Sequence, residues 1–188
     1  MSRKKVTKNY LIDLSYYAQS NIPNYTTITK MSKEKLDYLN SGLRTNNMKC
    51  MFDSCYELTS IPKLNIDTSQ CIDMNNMFYD CSSITSLDLS NFDTSKVTNM
   101  FSMFFRCNKL TSLDLSNFDT SKVTNMRYMF YDCASLTTIK GVIDMKSCTI
   151  NYDSMFYNCT KLKGVQIKNP PSGFDGAGLN KDQYTIVG

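Results

Sequence analysis

The stretch TSLDLSNFDTSKVTNM occupies residues 85–100 and returns unchanged at residues 111–126. A segment that recurs at a fixed step is the mark of a repeat architecture, and here the step is 26 residues. Working outward, the dipeptide Met-Phe begins at Met51, Met77, Met103, Met129 and Met155, always one step apart. Cys55, Cys81, Cys107, Cys133 and Cys159 follow four residues after each methionine. Two apolar posts keep the same beat: Leu58, Ile84, Leu110, Leu136 and Leu162, then Ile61, Leu87, Leu113, Ile139 and Val165. A unit this short cannot close a core alone, so successive copies must stack and bury a shared apolar column. The expected architecture is a repeat solenoid of five turns.

Within a copy, TSLDLS alternates polar and apolar side chains: Leu87 and Leu89 face one way, Ser86, Asp88 and Ser90 the other. That is the period of a half-buried strand, and stacked copies would pair as a parallel sheet with neighbours about 4.8 Å apart. The following NFDTSK is rich in side chains that bond nearby backbone, which predicts a chain reversal. Val97, Met100, Met103 and Phe104 then recur at near-helical spacing, predicting one or two helical turns on the reverse side, capped by Ser95 or Thr98.

The pattern CxxLxxLxL, preceded by MFxxC and followed by SNFDTSKVTNM, resembles the BspA-like leucine-rich repeat of bacterial surface proteins, over roughly residues 48–165. The resemblance implies a leucine-rich-repeat-like solenoid, with a parallel sheet on one face and short helices or turns on the other. It also implies attachment or protein binding without catalysis, and it carries no catalytic residues with it. The chain departs from a general leucine-rich repeat where a buried asparagine ladder belongs. Ile66, Phe92 and Phe118 stand there, with Asn91 and Asn117 one place earlier, so an apolar ladder is expected.

Outside the repeat, residues 1–47 read as an N-terminal cap or docking segment, residues 48–168 as the solenoid, and residues 169–188 as a C-terminal tail or cap. SKEKLDYLNSG predicts a short helix with Ser32 as its cap and Gly42 past its end. The closing YTIV either caps the last turn or adds a strand to a neighbour.

Several chemistries compete with plain structure. Histidine is absent, removing the commonest general base and nitrogen metal ligand. Eight cysteines are many, but five form the ladder and read as small buried hydrophobes. Five rungs cannot all pair as disulfides, and Cys50 and Cys55 lack a second nearby pair for zinc. Asp67, Asp93 and Asp119 could ligate calcium, yet turn formation accounts for them more simply. Asp88 and Asp114 could pair for glycoside hydrolysis, but an open sheet face supplies no pocket to raise one pKa. The chain is therefore expected not to be an enzyme, and to need no cofactor and no metal.

The better functional candidate is the exposed strand face itself: Ser86, Asp88, Ser90, Ser112, Asp114 and Ser116. A rigid repeated surface offers polar groups at fixed spacing without an ordering cost. Its expected partner is a protein or glycan on a cell surface. The alternative is a subunit of a phage particle, structural or host-binding, assembled through the non-repeat ends. The net charge of +4 is spread along the chain, which argues against nucleic acid. No run of residues is apolar and long enough to span a membrane, and neither a signal peptide nor an anchor is visible, so the cellular address stays open between surface and virion.

Overall fold

The computed structural model describes residues 11–13, 43–61 and 63–188. The helix expected with Ser32 and Gly42 lies outside them. Among the described residues there is no helix, only strands, bridges and turns. The strands are β1 (Leu11–Asp13), β2 (Leu43–Asn47), β3 (Ile66–Asp67), β4 (Ser112–Asp114), β5 (Thr138–Lys140), β6 (Val142–Asp144), β7 (Val165–Lys168) and β8 (Tyr184–Val187). They form three short sheets, β1-β2-β3, β4-β5 and β6-β7-β8, and every pairing is parallel. Between them, single parallel bridges join Asn47 to Asp73, Asp73 to Asn99, Asn99 to Asn125 and Asn125 to Asn151, one repeat step at a time.

The alternation read from TSLDLS is observed. Leu113 and Leu115 are buried between exposed Ser112, Asp114 and Ser116, and β4 sets Leu113 beside Ile139 of β5. The core is a set of columns running from copy to copy. Phe52, Phe78, Phe104, Phe130 and Phe156 stack nearly parallel, with ring centroids 5.2 to 5.6 Å apart. The Met column from Met51 to Met155 and the Cys column from Cys55 to Cys159 are buried beside them. The C-terminal residues continue the pattern: β8 pairs with β7, and the Gln183 amide donates to the Cys159 and Leu162 carbonyls.

The predicted reverse-side helix is replaced by turns. In residues 100–107 alternate N–H groups leave their own copy. Those of Met100, Ser102, Phe104 and Arg106 donate to Asn125, Arg127, Met129 and Tyr131. The intervening Met103, Phe105 and Cys107 donate three residues back. Ser102 and Arg106 adopt the left-handed conformation (φ 51° and 57°), and the same pair of positions does so in every copy from Cys50 and Ser54 to Ser154 and Asn158. An α-helix keeps its donors for itself and tolerates no such residues. Spacings of three and one put Met100, Met103 and Phe104 inward in either geometry, so the pattern alone misleads. Neither Ser95 nor Thr98 caps a helix; the Thr98 hydroxyl donates to the Ile72 carbonyl.

The expected apolar ladder is only part of the arrangement. Ile66, Phe92 and Phe118 are buried, but the asparagines one place earlier also reach across copies. Asn91 donates its amide to the Leu64 carbonyl, and Asn117 to the Leu89 and Phe92 carbonyls at 3.0 and 2.8 Å.

The fourth copy hides a slip that the Met, Cys and Leu marks do not reveal. The Thr94 hydroxyl bonds Asp119, 25 residues on, whereas Thr120 bonds Asp144, 24 residues on. One residue is lost at Gly141, where the chain passes so close to its neighbour that a Cβ would lie 2.7 Å from the Leu115 carbonyl carbon and oxygen. It is regained before Asn151, since Cys148 donates its thiol three residues on where Cys71 reaches two.

Candidate functional site

The six residues of the predicted strand face, Ser86, Asp88, Ser90, Ser112, Asp114 and Ser116, are all exposed. They are not free acidic groups. Asp88 and Asp114 each close a local turn by accepting the N–H two residues on, from Ser90 and Ser116, both at 3.0 Å. Lys140 reaches Asp114 at 3.0 Å, and Lys63 lies 3.9 Å from Asp88 while donating to the Ser90 hydroxyl. Hydrogen bonds from Ser116, with help from Lys140, hold the Asp114 carboxyl down at about 2; those from Ser90 depress Asp88 likewise. Both stay ionised at neutral pH, and neither is suited to act as a general acid. The face is a lattice of hydroxyls and matched charges.

Asp67, Asp93 and Asp119, weighed as calcium ligands, do the same turn-closing work: each accepts the N–H of the residue two places on, Ser69, Ser95 and Ser121. Among the described residues no three His, Cys, Asp or Glu side chains cluster as a metal would require. No disulfide joins any of the eight cysteines. Cys81, Cys107, Cys133 and Cys159 each donate the thiol to a phenylalanine carbonyl of the preceding copy, at 3.0 to 3.3 Å. Burial pushes Cys159 up to about 12 and raises Cys107 and Cys133 as well, so these thiols lack nucleophilic character.

A second surface was not singled out from the sequence. The residue after each Met-Phe pair is aromatic in four copies: Tyr79, Phe105, Tyr131 and Tyr157. Their rings stack at 4.7, 4.9 and 4.7 Å, within 18° of parallel. Tyr79, Phe105 and Tyr131 are half-buried and Tyr157 is 53% exposed. Tyr128 adds edge contacts to Phe101, Phe105 and Tyr131. Two arginines line this surface: Arg106 sits 5.4 Å from the Phe105 centroid, and Arg127 sits 4.8 Å from that of Tyr128. Each also reaches a carboxylate of the next copy, Asp132 at 3.8 Å and Asp153 at 3.5 Å. The signal was present in the sequence as MFY, MFF, MFY and MFY at one step apart, but the neighbouring buried Met and Phe absorbed the reading.

The position follows from the turns described above. Left-handed residues on either side of each Met-Phe pair turn those two side chains inward and leave the next one outward, so one repeat step converts a single sequence position into a column. Between its two ends such a column offers ring edges and phenol hydroxyls, because the faces there are covered by neighbouring rungs. No helix of the described residues is long and apolar enough to cross a membrane.

No curated protein and no solved structure matches the chain significantly. The model of the family described as Mycoplasma protein of unknown function, DUF285, matches residues 46–169, a span that holds all five Met-Phe and Cys marks, and the chain belongs to that family.

Proposed function

We propose that this chain is a non-catalytic binding module, wound as one leucine-rich-repeat-like solenoid of the BspA-like kind, that attaches to a protein or glycan on a cell surface. The aromatic column from Tyr79 to Tyr157 carries the reading. Four rings are held at fixed spacing and half out of the core, where ordinary solvent-facing positions would be polar. Pre-stacked rings lose little freedom on contact, so their area converts efficiently into affinity. Covered ring faces favour a protein partner over a saccharide, which needs an open face to lie on. The hydroxyl and carboxylate lattice around Asp88 and Asp114 provides a second, polar surface.

The test compares wild type, a Phe105→Ser/Tyr131→Ser variant and an Asp88→Asn/Asp114→Asn variant on immobilised cell-surface proteins and on a glycan array. Loss of binding in the aromatic variant, with folding retained by circular dichroism, is the expected result. Wild-type protein that binds neither set would overturn the reading, as would turnover of any bound glycan.

One observation favours the particle-subunit alternative: β8 is the last strand of its sheet, and its Ile186 is 58% exposed. An unpaired edge invites another strand. Sedimentation velocity across a concentration series separates the two, since end-to-end assembly through β8 would be weakened by Ile186→Lys and surface binding would not.

A further inference from the structure

The aromatic column ends at a cavity. Tyr157 stacks on Tyr131 through one face, and among the described residues no ring stacks on the other. Beside it lies an open cavity of about 330 Å³ whose lining includes Tyr152, Asp153, Ser154, Tyr157, Asp175 and Gly178. The backbone comes close here: a Cβ on Gly178 would stand 2.8 Å from the Tyr157 nitrogen.

Elsewhere the chain seats guanidinium groups between a ring and a carboxylate. Twice, a guanidinium is placed over a ring of one copy and against a carboxylate of the next: Arg106 over Phe105 and toward Asp132, Arg127 over Tyr128 and toward Asp153. Phe130 donates its N–H to Met155, and one copy later Phe156 donates to Ala177. Ala177 thus takes the place of Met155, and Asp175 the place of Asp153. Two carboxylates therefore follow each other on successive rungs, and Arg127 engages only the first. Asp175 spends one oxygen on the Ala177 N–H at 2.9 Å and forms no ion pair among the described residues. One step on from Arg127 and Tyr128 stand Asp153 and Ser154, so the cavity has a ring from the neighbouring column, Tyr157, and a carboxylate, Asp175, that no arginine of the described residues engages.

We infer that this terminal cavity binds a guanidinium group, an arginine side chain of a partner protein, stacked against Tyr157 and paired with Asp175. This inference rests on the binding-module reading and names the chemistry of one contact within it. A planar cation gains from the ring quadrupole and the carboxylate together. The two carboxylates of the lining attract a cation, a gain that a neutral pyranose does not have. A phosphate or sulfate would be repelled by both aspartates.

N-acetyl-arginine methyl ester is the probe, titrated into the full chain and followed by amide shifts of Tyr157 and Gly178 in nuclear magnetic resonance. N-acetyl-lysine methyl ester and methyl glucoside are the comparators. Saturable shifts with the arginine ester are expected, weakened about threefold or more in Asp175→Asn and in Tyr157→Leu. Asp175→Asn keeps an oxygen for the Ala177 N–H, so loss of binding there does not report unfolding. Absence of saturable shifts, equal affinity in Asp175→Asn, or a preference for the glucoside would overturn the inference. If the ester fails while the chain still binds surface proteins through its aromatic column, this site falls and the broader reading stands. If both fail, the broader reading falls with it.

Discussion

At the residue scale, what distinguishes this chain is how thoroughly small polar side chains join one copy to the next. Thr68, Thr94 and Thr120 are almost fully buried, and each hydroxyl both donates to an aspartate carbonyl of the next copy and accepts that aspartate's N–H, at 2.7 to 3.1 Å. One hydroxyl thus satisfies two peptide groups. Thr94→Val keeps the shape and orphans both groups on Asp119, so a loss of about 1–3 kcal/mol is expected in urea denaturation, with Thr94→Ser largely restoring it. The cysteines make a pH prediction. An unfolded thiol ionises near pH 8.5, whereas burial holds Cys159 protonated to about 12 and raises Cys107 and Cys133 as well. The folded state binds more protons over that interval, so the thiol contribution is complete below about pH 8.5 and falls as pH rises toward 12. Melting temperature measured from pH 7.5 to 11 should decline more steeply in wild type than in a Cys107→Ala/Cys133→Ala variant; parallel curves would count against it. Both roles were only half legible in the sequence. Burial of the cysteine column followed from its period, but that the threonine of FDTSK turns inward follows from a hydrogen bond to another copy.

At the element scale, the strand and the turn were legible and the helix was a misreading. TSLDLS shows its two faces because a strand has period two, and β4 keeps those faces with Leu113 buried and Asp114 exposed. Residues 97–107 carry a spacing that suits a helix and also suits a chain that bends at two left-handed residues. The choice lies in where the N–H groups go, and half of them go to the next copy. Arg106 and Tyr128 at positive φ are not residues a sequence reading would place there. Gly141 is the matching case in the fourth copy. Its φ of 108° and the 2.7 Å approach to the Leu115 carbonyl leave no room for a side chain. Gly141→Ala is expected to cost at least about 1–3 kcal/mol in thermal or urea unfolding. Gly164→Ala, which meets no atom within 4 Å, should cost less despite its φ of 68°. Equal losses would show that backbone conformation, not the close approach, sets the penalty.

At the scale of the whole molecule, stability comes from neighbour-to-neighbour contacts, because the Phe rings, Thr hydroxyls, Cys thiols and alternate N–H groups all reach one copy away. Excising residues 85–110 removes one full step and rejoins residue 84 to residue 111, restoring the same TSLDLS junction. The shortened chain should still unfold cooperatively, at lower temperature and with a smaller urea m-value, since it buries one interface fewer. Failure to fold would mean that the copies are not interchangeable units. The aromatic surface belongs to this scale too: one outward ring per copy is unremarkable, and four at 4.7 to 4.9 Å make a surface. The repeat step, the inward columns, the strand alternation and the exposure of Ser86, Asp88, Ser90, Ser112, Asp114 and Ser116 were determined by the sequence alone, because periodicity and polarity are properties of a single copy repeated. Only the tertiary structure decided the left-handed turns, the Thr and Asn bonds, the slip absorbed at Gly141 and the cavity beyond Tyr157. Each of those depends on what the adjacent copy presents across about 5 Å, and no single copy carries that information.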